Sequence, residues 1–166
     1  MGKGIAITII GLGILVYFLV GNQPDTWTDP QTNLMWKANN TSTTVPWYSG
    51  KKYCESLQLE GYTDWRLPTI DELRTIVYDC PSTEPRGACQ ASEFCNNDGC
   101  ICGSCESKSR CNRNNNLSGL CTRAWSTTEM EWNSERVFYL DFNGGAVDVV
   151  EKAKASFLVQ CVRKMN

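Results

Sequence analysis

The cysteines are the residues of this chain whose type and spacing could most readily support chemistry. The sequence holds 10 of them in 166 residues, and the tightest run is Cys95, Cys100, Cys102 and Cys105. Thiolates at such short spacings can gather around zinc or an iron–sulfur cluster. They can also form disulfides when a protein folds in an oxidising compartment. Disulfides are favoured, because the chain has no histidine and its cysteine count is even and high for a short chain.

The composition excludes several other kinds of site. Without histidine there is no histidine general base, no Ser-His or Cys-His nucleophile pair and no histidine metal site. The formal net charge of -2 offers no electrostatic basis for a nucleic-acid partner. No spacing in the sequence places two carboxylates of interest together in a cleft; these are Asp71, Glu72, Glu129, Glu131, Asp141 and Asp148. We therefore predict no catalytic residue, no metal site and no cofactor.

Eight of the ten cysteines lie in one segment, residues 80–121, whose composition differs from the rest of the chain. Asn, Gly and Ser dominate between the cysteines, and large apolar residues are nearly absent. Such a segment cannot bury enough apolar surface to offset its conformational entropy, so we interpret it as an insert held by disulfides. Its cysteines are Cys80, Cys89, Cys95, Cys100, Cys102, Cys105, Cys111 and Cys121. A link between Cys80 and Cys121 would close the neck of the insert, and the pairing of the others stays open.

An uncharged apolar run from Ile5 to Gly21 follows Lys3. The run is about as long as the shortest spans that cross a bilayer, and long for the core of a signal peptide. Its end is a poor cleavage site, so a signal anchor is favoured over a cleaved signal peptide, with the body outside the cytoplasm. We assign residues 1–24 to this segment and its linker, and the membrane is a predicted partner through residues 5–21. A faint match to a type IV prepilin leader keeps a pilin-like filament subunit as an alternative.

Two helices are predicted in the first half of the remaining chain. Residues 47–59 read as an amphipathic helix, with Ser49 as its N-cap and Gly61 as the residue that ends it. Thr69 and Glu72 have the T-x-x-E spacing of a capping box, in which each side chain bonds a backbone N–H of the first turn. A second helix follows, and its apolar positions at helical spacing are Ile70, Leu73, Ile76 and Val77.

Strand patterns stand on both sides of these helices. Leu34-Met35-Trp36 reads as a strand, and residues 136–142 alternate in the manner of a strand in a sheet. Asn143-Gly144-Gly145 can take the positive φ angles of a hairpin turn, and residues 146–150 form the return strand. Residues 157–163 close the chain. The order of elements predicts an α+β domain of two helices and an antiparallel sheet.

Five parts of this sequence resemble, in order, the Legionella collagen-like protein C-terminal domain family, a domain of unknown function with a C-type-lectin-like fold. They are the string ending in Trp36, Cys54, the DWRLPTIDEL block from Asp64, the WSTT string from Trp125, and the closing FNGG and QCVR strings. The RLPT block also resembles that of the formylglycine-generating enzyme family, which shares the fold. The resemblance covers residues 25–79 and 122–166 and implies a C-type-lectin-like domain over 25–166. The signature residues, expected to be structural, are Trp36, Asp64, Trp65, Arg66, Leu67, Pro68, Thr69, Glu72 and Trp125.

The resemblance further implies a disulfide between Cys54 and Cys161, which would tie the first helix to the last strand. It does not supply a calcium site, because the W-N-D string of sugar-binding C-type lectins is Trp132-Asn133-Ser134 in this chain and the aspartate is missing. Trp132 is the best candidate for an exposed aromatic contact because its neighbours are charged and polar. Trp132 and Asn133 are therefore the candidate ligand contact.

These observations favour an exported, non-enzymatic module of the cell envelope, periplasmic or extracellular. A disulfide-stapled loop presents its polar groups with little ordering cost, which suits adhesion, assembly or the binding of a glycan or protein ligand. The fold resemblance by itself does not establish the ligand. One alternative is a formylglycine-generating-type oxidase, which needs reduced, low-pKa cysteines and bound copper. The absence of free thiols would remove the oxidase, and a processed N-terminus at Ile5 would support the pilin-like filament subunit.

Overall fold

The computed structural model describes residues 24–78 and 113–165, which form mostly antiparallel sheet with two short helices. In chain order the elements are β1 (Thr26–Asp29), β2 (Leu34–Lys37), β3 (Val45–Pro46), α1 (Trp47–Glu55), α2 (Ile70–Thr75), β4 (Arg123–Met130), β5 (Asn133–Asp141), β6 (Ala146–Glu151), β7 (Ser156–Phe157) and β8 (Val162–Lys164). The apolar run 5–21 and the seven cysteines from Cys80 to Cys111 lie outside the described residues. Within those residues, no helix is both long enough and apolar enough to span a bilayer.

One sheet joins the beginning of the domain to its end. Its strand order is β1-β2-β8, and all pairs are antiparallel. Trp36 in the central strand is paired with Trp27 on one side and with Val162 on the other. Because β2 lies near the start of the domain and β8 near its end, this sheet pairs residues that are far apart in the sequence.

The second sheet is the meander β4-β5-β6, with irregular pairing near the end of β4. The predicted turn at Asn143-Gly144-Gly145 is confirmed: it connects β5 to β6, and both glycines have positive φ. A short pair, β3 with β7, lies beside this sheet. The alternation predicted for residues 136–142 is also confirmed, since Phe138, Leu140 and Phe142 lie in one core cluster while Val137 lies in the other.

Two apolar clusters form the core. In the first, α2 packs between the sheets. The four apolar positions predicted for this helix are all buried, together with Trp36 and residues of β5 and β6, although Ile76 and Val77 follow the end of α2 at Thr75. In the second, α1 contributes Trp47 and Cys54, which pack with Trp65, Trp125 and Phe157. Each helix therefore covers one apolar side of the structure, and its sequence spacing is what allows it to do so.

The first helix starts at the predicted residue but differs from the sequence expectation in its N-cap and in its C-terminal end. It starts at Trp47 after Pro46, with no side-chain cap, so the prediction of Ser49 as N-cap is wrong. It ends at Glu55, several residues before Gly61. Gly61 instead follows Glu60 in a tight turn with positive φ at both positions, closed by mutual backbone hydrogen bonds of Leu59 and Tyr62. Such a turn needs two consecutive positive φ angles. Gly61 therefore belongs to this turn and does not end the helix.

Residues 113–121 pack on the body of the domain, although their composition alone assigns them to the insert. Arg113 pairs with Val77 in an isolated bridge, and Asn114 donates its N–H to Ile76 O. Leu117 is buried in the first core cluster. Val77 and Arg113, on either side of the residues that the structure does not describe, are therefore neighbours in space.

Candidate functional site

The RLPT signature lies at a junction of three parts of the chain. The N–H and the C=O of Arg66 both pair with Val162 in β8, at 2.9 Å each. The C=O of Pro68 accepts the backbone N–H of Thr127 at 2.8 Å and its hydroxyl at 3.2 Å. Thr128 Oγ1 accepts the N–H of Ile70 at 2.9 Å. The RLPT block, the WSTT string and the terminal strand are thus bonded to one another, which gives these strings a structural reason to occur together.

An ion pair and a capping box use both oxygens of Glu72. Arg66 donates to Glu72 Oε2 at 2.7 Å and to Oε1 at 2.6 Å, and the N–H of Thr69 donates to Oε2 at 2.8 Å. In return, Thr69 Oγ1 accepts the N–H of Glu72, so the predicted capping box is confirmed. With its lone pairs directed at these donors, the carboxylate of Glu72 is placed to hold structure rather than to transfer protons.

The capping box predicts a pH dependence of stability. Burial is the largest single influence on Glu72 and raises its pKa, but the hydrogen bonds from Arg66 and Thr69 together hold that pKa below its ordinary value of 4.5. The stabilisation by Glu72 is therefore complete above pH 4.5 and is lost as the pH falls through the lowered pKa. We expect Glu72→Gln to be less stable than the unsubstituted protein at pH 7 and to approach it at pH 3. Urea unfolding at both pH values measures this difference, and an equal gap at both would contradict the assignment.

A second ion pair fixes the start of the signature block. Arg163 donates to both oxygens of Asp64, at 2.7 and 3.1 Å, and its guanidinium carbon lies 3.7 Å from the centre of the Tyr62 ring. The hydrogen bond from Arg163 holds the pKa of Asp64 below its usual value. The Arg163 side chain is 5% exposed while that of Asp64 is 55% exposed, so a buried cation of β8 is paired with a carboxylate at the surface. Both residues act in packing and orientation.

The signature tryptophans are core residues. Trp36 and Trp125 have no exposed surface and Trp65 has 2%. The indole N–H of Trp125 donates to Val45 O at 2.7 Å, and that of Trp47 donates to Ser126 O at 2.8 Å. These rings therefore join β3, α1 and β4 rather than offering a surface to a ligand.

The cysteines of the described residues are all oxidised. Cys54 and Cys161 form a disulfide across 107 positions of sequence, which is the pairing that the resemblance implies, and both are fully buried. Cys121 is also disulfide-bonded. Its suggested partner Cys80, and the run from Cys95 to Cys105, lie outside the described residues. Within the described ranges, no group of three or more Cys, Asp or Glu side chains is arranged to hold a metal ion.

The candidate ligand contact lies at the tip of the β4–β5 hairpin. Trp132 occupies the two-residue connection between Met130 and Asn133 and is 57% exposed. Asn133 is the first residue of β5, and its side-chain oxygen accepts the N–H of Glu135 at 3.1 Å. That bond orients the tip and leaves a large aromatic surface in contact with solvent.

Two residues that the sequence did not single out, Lys152 and Tyr48, are connected to this hairpin through Glu129. Lys152 is buried, and its Nζ lies 2.6 Å from Glu129 Oε1 in β4. The same Nζ lies 4.3 Å from the centre of the Trp47 ring and 5.8 Å from that of Tyr48, which is 56% exposed. Contacts through Lys152 therefore link exposed Tyr48 to the strand that leads to Trp132. No local pattern marks Lys152, because its burial comes from residues far away in sequence.

Among the other acids singled out in the sequence, Asp141 and Asp148 come together at Tyr139, and, after burial, the charge of each raises the pKa of that tyrosine. Asp71 pairs with Arg74, Asp141 with Arg123, and Asp148 accepts the Tyr139 hydroxyl. These contacts belong to α2 and to different positions of the second sheet. These three acids thus act as partners of Arg74, Arg123 and Tyr139.

Together these features define a small disulfide-linked domain whose signature residues meet at one junction. The family model of the Lcl C-terminal domain matches residues 25–163. The chain therefore belongs to that family. A comparison with curated proteins found no match.

Proposed function

We propose that the chain is an exported, non-enzymatic binding module of C-type-lectin-like fold, held at the cell envelope by its N-terminal apolar segment. The fold proposal is supported by the pairing of the first and last strands in one sheet and by the disulfide from α1 to the residue before β8. Every signature residue packs in the core, caps a helix or forms an ion pair, so these residues act in the structure of the domain. This supports a functional surface elsewhere. The remaining functional surface is then the loops, as is common when a rigid scaffold carries them.

The observation that carries the proposal is the placement of Trp132 relative to the start of the domain. Asp25 O accepts the N–H of Ala38, and Ala38 O accepts the N–H of Ser118, so the N-terminal linker enters beside residues 117–121. β4 starts just after that loop and runs for 8 residues to the tip that carries Trp132. Eight residues of strand span roughly 26 Å. Trp132 is thus separated from that loop by the length of a strand. In this proposal the hairpin tip faces away from the membrane, where a ligand outside the cell would be met first.

Physical chemistry favours an exposed tryptophan at such a tip as a binding contact. An aromatic side chain offers a large apolar area with few rotatable bonds, so ordering it on binding costs little entropy. The hairpin is held by its bonds to β5 and by the pair between Lys152 and Glu129. Binding energy is therefore not spent on ordering the loop. The disulfide-rich insert, which leaves the body at Val77 and Arg113, supplies the second contact surface in this proposal.

Substitution of Trp132 tests the proposed surface. We expect Trp132→Ala to weaken binding to at least one member of a panel of immobilised oligosaccharides and matrix proteins by about tenfold or more, since central aromatic contacts carry about 2 kcal/mol or more. Its melting temperature should stay close to that of the unsubstituted protein, because the side chain is 57% exposed. Tyr53→Ala is the matched control, since Tyr53 is an exposed aromatic on α1, at 38%. Equal loss in both variants would contradict a specific role for the tip.

Removal of the insert tests the second surface. Residues 79–112 can be replaced by a short Gly/Ser linker, because Val77 and Arg113 already pair, with Cys121→Ala to avoid a free thiol. We assign binding lost only in this variant to the insert and binding lost only in Trp132→Ala to the hairpin tip. A folded protein for which neither change affects binding to any member of the panel would overturn the proposal.

A thiol count separates this function from the oxidase. The oxidase requires two reduced cysteines, and these would have to be among the seven cysteines outside the described residues. Alkylation of the native protein followed by mass spectrometry counts them directly. Two alkylated cysteines would favour the oxidase, and none would favour the binding module.

A further inference from the structure

β6 is an apolar strand at the edge of its sheet. Within the described ranges, β6 is paired only with β5, so its other side is a sheet edge. Three of its six residues are valines, Val147, Val149 and Val150. An apolar strand with an open edge is a template onto which another chain can add a strand.

The backbone of Val149 points out from this edge. Val149 lies opposite Phe138 in β5, and the C=O of Phe138 accepts the Ser126 hydroxyl at 2.7 Å, on the β4 side. In an antiparallel sheet the N–H and C=O of one residue point to the same neighbour. Phe138 therefore makes no ladder bonds to β6, and the N–H and C=O of Val149 face away from β5. The N–H of Lys152, which donates to Glu135 O, fits the same alternation.

The side chain of Asp148 occupies the outward N–H of Val149. Asp148 Oδ1 accepts this N–H at 2.7 Å, and Oδ2 accepts the hydroxyl of Tyr139 at 3.2 Å. Burial, followed by the charge of Asp148, raises the pKa of Tyr139, so the phenol stays protonated and remains a donor at neutral pH. Asp148 Oδ2 is thus fixed by the Tyr139 hydroxyl, while Oδ1 accepts the backbone N–H of Val149 that an added strand would otherwise bond.

We propose that Asp148 protects the edge of β6 from strand addition by a second copy of this chain. An added strand would have to displace a charge-assisted hydrogen bond and desolvate the carboxylate. Asp148 and Glu151 of two antiparallel copies would also bring like charges together. The Asp148 side chain thereby prevents β6, whose valines the core needs, from acting as an association site. This inference is independent of the proposed ligand-binding function.

Sedimentation velocity over a concentration series tests this protection of the edge. Asp148→Ala should associate with a dissociation constant about tenfold or more below that of the unsubstituted protein, since a hydrogen bond to a charged group is worth about 1.5–3 kcal/mol. Amide exchange at Val149 should be faster than in the unsubstituted protein at low concentration and should slow as association proceeds. Far-UV circular dichroism checks that the variant is folded, as expected for an exposed side chain. A folded Asp148→Ala that associates no more than the unsubstituted protein would overturn the proposal.

Two further variants separate the hydrogen bond from the charge. Asp148→Asn keeps an oxygen that can accept the N–H of Val149 but removes the charge, so it should associate less than Asp148→Ala and more than the unsubstituted protein. Asp141→Asn removes the same charge from the same sheet, where Asp141 pairs with Arg123 at 3.2 Å, and keeps an oxygen that can accept the N–H of Asn143 in the turn before β6. It should leave association unchanged. If Asp148→Asn associates as strongly as Asp148→Ala, charge alone protects the edge and the capping role is refuted.

Discussion

Replacing both Cys54 and Cys161 with alanine is expected to lower the free energy of unfolding by about 4–5 kcal/mol. The bond closes a loop of 107 positions, and the entropy that a cross-link removes from the unfolded chain grows with the logarithm of loop length. Both sulfur atoms also lie in the second core cluster, where neither residue has exposed surface. A change of this size corresponds to a fall in melting temperature of roughly 10–20 °C. Differential scanning calorimetry measures it.

Cys121→Ala removes a different disulfide and serves as the control for the loss of the Cys54–Cys161 bond. Cys121 is also disulfide-bonded, but it is only partly buried and precedes β4 rather than lying in the second core cluster. We expect its loss to lower the melting temperature by much less than loss of the Cys54–Cys161 bond. Equal melting temperatures for the two variants would show that the bond between α1 and β8 has no special role in the fold.

Gly119→Ala is expected to destabilise the domain by about 3–4 kcal/mol. Gly119 has a φ of +105°, which costs an L-residue about 1–2 kcal/mol. A Cβ at this position would overlap Asn40 Oδ1. The Asn40 amide is buried, donates to Leu120 O at 2.7 Å and accepts the N–H of Leu120 at 3.2 Å. Moving the amide would break both hydrogen bonds, each worth about 1 kcal/mol. Chemical denaturation of the purified domain measures the loss.

Gly61→Ala is the matched control for crowding. Gly61 also has positive φ, +81°, but a Cβ there would meet nothing within 4 Å. Only the backbone strain remains, so we expect a loss of about 1–2 kcal/mol. If the two substitutions cost the same, then the contact between residues 40 and 119–120 does not stabilise the base of the insert. The larger cost at Gly119 would place this contact among the features that hold residues 113–121 to the body.

Features set by neighbouring residues could be predicted from the sequence. The capping box of Thr69 and Glu72 and the start of α2 at Ile70 depend on positions three apart, and both are confirmed. The turn at Asn143-Gly144-Gly145 depends on backbone freedom within the turn itself. The family assignment has the same origin, because its signature strings are short and local.

Tertiary structure decided the features that rest on distant partners. Composition places Leu117 in an insert, yet Leu117 is buried because the segment from Arg113 bonds back to Ile76 and Val77. Lys152 is buried through Glu129 and Trp47, neither of which is near it in sequence. Local patterns record only the preferences of a residue and its neighbours. Burial, and the outward direction of a strand edge such as that of β6, depend on which segments pair across the whole chain.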